Sequence, residues 1–304
     1  MIEYAGRIKG LGHTEVQDAA ATADCGHIHT AVVCDGASCC KGAKAAAEAL
    51  ADHLAKYAAQ HYGQMEKADD EHMRETLIHE IRRVQLRLSD ESGMKMAEFG
   101  STLLLLAVNT VTQEHIVVTL GDGLIVGVRS GGGVAALMQP EKGENGPHAT
   151  YLTVHSDDVL QEHLHIYRGG LYDSGYVLMS DGFECSMYAA DGSDVNTYVV
   201  ELLHQLTLKP EKAGRDFMRS MLWYIKPFDD CSIVCVVPGV PHDDFFVTHS
   251  LVRGRSKAAM ERIDRYKRYI LLRERGKSQA EAARRVWPRG SDRHVSRLAE
   301  YGLA

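Results

Sequence analysis

No stretch of the 304 residues approaches the roughly 18 consecutive apolar positions that a membrane-spanning helix requires. The opening "MIEYAGRIKG" also lacks the apolar centre of a secretion signal. The expectation is a cytoplasmic protein with no membrane contact. Only seven cysteines are present, and none are arranged as CxxC. That excludes a cysteine zinc ribbon and points to small buried thiols. Cys39 and Cys40 lack the CxxxxxR arrangement with which thiol phosphatases cradle phosphate, so packing is their expected role. Aromatic residues make up 7% and prolines number seven, whereas hydrophobic residues reach 45%, enough to build a large core and to exclude a disordered chain.

Charge is unevenly distributed. From Arg253 onward there are 15 Lys and Arg against 6 Asp and Glu, while residues 1–252 carry 19 against 35. Two opposed fields suggest two parts, 1–245 and 250–304. In the first part, short apolar runs read as strands: "HIHTAVVCD", "STLLLLAVN", "HIVVTLGD", "LIVGVRSG", "YLTVH", "YVLMSDG" and "CSIVCVVPG". Gly121 to Gly123 suggest a hairpin between the third and fourth. Two amphipathic helices fall between the first two runs, with apolar stripes from Ala43 to Tyr57 and from Met73 to Leu88. Further helices are expected over 196–208 and 210–224. Paired helices followed by a meander of strands do not fit a doubly wound sheet. They fit α+β layers of antiparallel sheet with helices outside. The basic part has no strand pattern and reads as three helices. Ser278 with Glu281 forms a capping box ahead of Ala282, Ala283 and Val286, and a following helix turns Arg293 and Arg297 outward, the outline of a helix-turn-helix.

Aspartates repeatedly stand at the ends of the strand-like runs: Asp18, Asp35, Asp122, Asp181, and the pair Asp229 and Asp230. One carboxylate at a strand end is an ordinary turn or cap residue. Several brought together would repel one another, a cost that a bound divalent cation removes, and an oxygen-only donor set favours Mg²⁺ or Mn²⁺ over zinc.

The motifs "QD" (17–18), "DG" (35–36), "GST" (100–102), "GDG" (121–123), "SDG" (180–182) and "DDCS" (229–232) resemble, in order, those of the metal-dependent serine/threonine protein phosphatases of the PPM or PP2C type, in particular divergent bacterial members. The resemblance implies an αββα sandwich. It implies two Mn²⁺ or Mg²⁺ ions held by Asp18, Asp35, the Gly36 carbonyl, Asp181 and Asp229, with Ser232 as a framework hydroxyl. A metal-bridging water would hydrolyse phosphoserine or phosphothreonine on a phosphorylated protein substrate. His13 stands where the family carries a phosphate-gripping arginine and lacks the bidentate fork, so weaker capture is implied unless Arg7 or Lys9 reaches in. Cys185 replaces an aspartate associated with a third metal, and Glu141 is the available substitute; a weak or absent third ion is expected. Two other readings stay open: a low-activity regulatory or phosphoprotein-binding domain, and a hydrolase of small phosphoesters. The basic part, 250–304, could contact DNA, a regulatory protein, or its own acidic domain.

Overall fold

A computed structural model describes residues 1–10, 13–130, 132–143, 151–184, 187–188, 195–196, 198–221, 229–238, 272, 275 and 277–286. Among these described residues, ten strands form two antiparallel five-stranded sheets. The first contains β1 (Ile2–Ile8), β10 (Cys231–Val237), β9 (Gly175–Met179), β6 (Leu124–Val128) and β7 (Val134–Ala136), in that spatial order. The second runs β2 (Ala19–Cys25), β3 (Ile28–Cys34), β4 (Leu103–Asn109), β5 (Glu114–Leu120) and β8 (His165–Gly170). Helices α1 (Ala43–Lys67), α2 (Asp70–Ser92) and α3 (Asp157–His163) cover the second sheet, and α4 (Tyr198–Leu208) and α5 (Pro210–Met221) cover the first.

The layers follow from side-chain alternation. On β2, Ala19, Ala21 and Ala23 face α1, while Ala20 faces the other sheet; on β3, Val32 and Cys34 face the helices and Ala31 and Val33 the other sheet. The inter-sheet cluster, including Leu104, Leu106, Val117, Ile125, Leu178 and Val234, is therefore apolar from both sides. Strands β4, β6 and β9 are buried throughout, which is why they read as continuous apolar runs. Asp69 caps α2 by accepting from His72 N at 2.8 Å, and Gly93 ends it at φ 72°, where glycine carries no Cβ penalty.

Two sequence expectations are corrected. Strands β5 and β6 do not form a hairpin: β5 pairs with β4 and β8, and β6 with β7 and β9. Gly121, at φ 99°, turns the chain out of one sheet and into the other. The segment "YLTVH" is a loop, because its backbone groups are taken elsewhere. Arg82 of α2 donates to the carbonyls of Thr153 and His155, Gln85 donates to Thr153 O, and Thr153 N donates to Ser101 O. The stretch 156–175 holds α3 and β8. Arg74 donates to Leu164 O at 2.9 Å and Arg168 to Ala68 O at 2.8 Å, tying both elements to α1 and α2.

His115 on β5 is buried among Tyr167, Tyr172 and Tyr176, with its Nδ1 3.1 Å from the Tyr176 hydroxyl. Burial pushes its pKa down from 6.5 to about 4. The unfolded chain therefore binds the extra proton first. His115 contributes stability that is complete above pH 6.5 and is lost as pH falls toward 4, about 3 kcal/mol across that window. Thermal unfolding of His115→Gln should show a shallower fall in Tm between those pH values than the parent shows; an identical slope would refute this.

Of the basic part, the described helix is α6 (Gln279–Val286). Ser278 Oγ accepts from Glu281 N at 3.2 Å, but the Glu281 carboxylate turns to Lys277 and Arg285 and does not complete the box. Ala282 and Val286 are buried in the same cluster as the first sheet, α4 and α5, with Leu272 packed against it. This helix thus spends its apolar face on the acidic domain. Ala283's side chain and Arg293 and Arg297 lie outside the described residues, as does Cys185.

Candidate metal centre

Antiparallel pairing carries the strand-end aspartates to one end of the sandwich. Asp18 precedes β2, Asp35 follows β3, Asp181 follows β9, Asp229 precedes β10, and Asp122 sits between β5 and β6. The loops that hold them are made rigid by the short motifs around them. Asp35 N donates to Thr102 Oγ1 (3.0 Å), Thr102 N to Asp35 O (2.9 Å), and Ala37 N to Gly100 O (3.1 Å), so the "GST" residues act as a template for the "DG" turn. A Cβ at Gly36 would lie 2.6 Å from Gln17 O and 2.8 Å from Ala43 O, which no side chain tolerates. At Gly182 it would lie 2.0 Å from Asp230 O. Ser180 links the two sheets: its Oγ donates to Asp18 Oδ2 (2.9 Å) and accepts from Ser232 N (2.9 Å), while Ser180 N donates to Ser232 O (3.0 Å).

Asp18 is fully buried, and Asp35 stands within hydrogen-bonding reach of its carboxyl. Burial raises the Asp18 pKa, with the Asp230 charge adding to it. Burial likewise pushes Asp35 well above its ordinary value, reinforced by the charges of Asp18, Asp181 and Asp229. Asp18 Oδ1 is sealed from solvent and meets no donor. Asp18, Asp181 and Asp229 thus lie near enough to Asp35 for their charges to act on it, and the buried Asp18 Oδ1 makes no hydrogen bond. This donor set suits a hard divalent cation.

Adjacent Asp230 is different. Its Oδ1 accepts from Gly10 N and its Oδ2 from Gln17 N, each at 2.6 Å, and His13 Nδ1 lies 2.9 Å from Oδ2. Both oxygens are filled by the N–H groups of Gly10 and Gln17, so Asp230 anchors those two positions while Asp229 is the member of the pair near Asp35. The sequence resemblance places the ligand on Asp229 and leaves Asp230 without a role. His13 is held between Asp230 and Ser38, with Nε2 3.3 Å from Ser38 Oγ. Lys9 donates to the carbonyls of Gly10 and His13. Arg7, exposed on β1, donates from Nη1 to Asp18 O at 3.1 Å, which brings its guanidinium to the edge of the carboxylate cluster. Glu141 is engaged by two imidazoles, His163 Nδ1 at 2.8 Å and His165 Nε2 at 2.6 Å, with Tyr151 stacked on His163. Cys39 is exposed and Cys40 buried, their sulfurs 3.9 Å apart.

A family model described as protein phosphatase 2C matches residues 12–221. No curated protein matches the chain. Among solved structures, the serine/threonine phosphatase Stp1 from Staphylococcus aureus superposes with a TM-score of 0.51 at 15% identity, over 80% of this chain and 96% of that one. A point mutant of a bacterial serine phosphatase superposes with a TM-score of 0.54 at 16% identity, over 79% and 99%. These likenesses are likenesses of fold.

Proposed function

The chain belongs to the protein phosphatase 2C family, and from that premise we propose that it hydrolyses phosphoserine and phosphothreonine on protein substrates, using divalent cations held by Asp18, Asp35, the Gly36 carbonyl, Asp181 and Asp229. The observation that carries this reading is the buried Asp18 Oδ1, without a donor, set against Asp35 at the junction of both sheets. When bound, Mg²⁺ or Mn²⁺ supplies a water acidified to near neutral pH and positive charge opposite the phosphoryl oxygens.

The chain's own residues do the rest. Asp35, between Asp18, Asp181 and Asp229, concentrates negative charge where cations are needed. Ser180 and Ser232 fix Asp18 across the two sheets, and the "GST" backbone fixes Asp35, so the donors are preorganised rather than gathered on binding. Arg7 is the residue we assign to the substrate phosphate: it lies at the cluster's edge, is exposed, and has guanidinium N–H groups beyond the one spent on Asp18 O. The structure's placement of His13 between Asp230 and Ser38 supports a positioning part for that residue.

Phosphate release from a phosphothreonine peptide and from a small aryl phosphate, each with and without Mn²⁺, tests the reading. Metal-dependent turnover of the peptide is expected; none on either ester would overturn it, and turnover confined to the small ester would replace the protein substrate with a small one. Arg7→Ala should raise KM for the peptide by about tenfold with kcat changed far less, the loss of a charge-assisted hydrogen bond worth on the order of 1.5 kcal/mol. An unchanged KM would remove Arg7 from this role.

A further inference from the structure

At the opposite end of the seam between the sheets, three ligand-type side chains converge that the phosphatase reading does not use. Strand β1 is the edge of one sheet and β2 of the other. Ile2, Tyr4 and Ile8 pack toward the outer helices, so alternation turns Glu3 and Arg7 toward the partner sheet. Arg7 meets the carboxylate cluster, and Glu3 lies at the far end. On β2, Thr22 and Asp24 share the inward face with Ala20. On β3, His29 shares it with Ala31 and Val33 and is the register partner of Asp24. The result is one imidazole and two carboxylates, from two sheets, with donor atoms all within 4.8 Å of one another. His29 Nδ1 lies 2.5 Å from Asp24 Oδ1 and 3.8 Å from Glu3 Oε1.

We infer that Glu3, Asp24 and His29 form a second cation site, specific for a divalent first-row transition ion such as Zn²⁺, that joins the edge strands of the two sheets. Four observations support it. Glu3 Oε1 is sealed from solvent and meets no hydrogen-bond donor, although it points into the cluster. Two carboxylates share one imidazole, so the three side chains together carry negative charge when His29 is neutral. Asp24 is 57% exposed on its side chain, which leaves an entry path and room for water ligands. A mixed imidazole and carboxylate set favours zinc-like ions, whereas the all-oxygen cluster at the other end favours Mg²⁺ or Mn²⁺, so the two sites select different ions. Asp24 lies six residues along β2 from Asp18, roughly 20 Å at the rise of a strand, so neither site shares a ligand with the other. Binding replaces the Asp24–His29 hydrogen bond with bonds to the ion and pins β1 to the β2–β3 hairpin.

The test is a Zn²⁺ titration by calorimetry of the full chain carrying Asp35→Asn, in excess Mg²⁺, so that the all-oxygen cluster is disabled or filled. One Zn²⁺ per chain is expected. His29→Asn and Glu3→Gln, added singly, should each weaken it by roughly tenfold or more. In the parent chain the same Zn²⁺ should raise Tm and shift the ring resonances of His29, and His29→Asn should leave Mn²⁺-dependent peptide turnover unchanged. Because the titration needs no activity, it stands whether or not the phosphatase reading does. Absence of saturable Zn²⁺ binding, or binding equal in all three proteins, would overturn the inference. Should His29→Asn fail to fold, the Glu3→Gln comparison decides.

Discussion

Asp35→Asn is expected to lower Mn²⁺-dependent phosphate release from a phosphothreonine peptide by roughly a hundredfold or more, while raising the Tm of the metal-free protein. The two effects have one origin. Asp35 stands among Asp18, Asp181 and Asp229, and burial with that company disfavours its charge. Without a cation the cluster is a liability, because like charges meet where water cannot screen them. An asparagine removes one charge and can offer an N–H to Asp18 Oδ1, the buried acceptor that has no donor. Stability should therefore rise by a few degrees, and the further rise in Tm that Mn²⁺ produces in the parent should disappear. A metal-free Tm that falls would show that Asp35 is held by favourable partners rather than strained by unfavourable ones. Retained turnover would remove it from the centre altogether.

Much of the arrangement is legible before folding. The stripes from Ala43 and from Met73 mark α1 and α2, and their positions are buried apart from Tyr57 and Leu88, which are partly buried. The strand-end aspartates are legible as a set, because only the recurrence of a carboxylate after an apolar run raises one turn residue above the ordinary. What escaped the sequence depends on which partner a strand takes. Strands β5 and β6 are buried on both faces, so no alternation says which sheet each joins, and a glycine at φ 99° decides it. Strand β2 is largely alanine, a weak strand former, yet small residues are what α1 needs in order to lie close. The segment 151–155 has strand-like residues, but Arg82 and Gln85, distant in sequence, absorb its hydrogen bonds. The inter-sheet cluster of Glu3, Asp24 and His29 is likewise invisible until β1 and β2 are known to be facing edges. The basic composition after residue 253 left open whether its helices contact nucleic acid, a regulatory protein or the acidic domain. Burial of Ala282 and Val286 in the core of the first domain shows that an amphipathic helix with exposed arginines can equally be a lid on its neighbour.

The division of labour within the Asp229–Asp230 pair leads to the second large effect. Asp230→Ala should destabilise the protein by about 3–5 kcal/mol, a fall in Tm on the order of ten degrees for a domain of this size. Asp230 is 1% exposed and accepts two backbone N–H groups at 2.6 Å, from Gly10 and Gln17, besides facing His13. Removing the carboxylate leaves those two donors with no acceptor in a site closed to water, and the penalty for each is its full desolvation. The consequence then passes to function through geometry. Gln17 adjoins Asp18, whose carboxyl must meet Asp35, and a Cβ at Gly36 would already strike Gln17 O, so Gln17 cannot drift without disturbing both motifs. Peptide turnover should therefore fall along with stability, and Mn²⁺ should bind more weakly without any ligand having been removed. Asp230→Asn separates the two contributions. One amide oxygen can still accept one N–H, but its NH₂ confronts the other donor, so about half the stability loss is expected, with turnover intermediate. Denaturation by urea, with Tm and turnover measured on the same samples, checks the ordering parent, Asp230→Asn, Asp230→Ala. If Asp230→Ala matched the parent in stability while losing all metal binding, Asp230 rather than Asp229 would be the ligand of the pair.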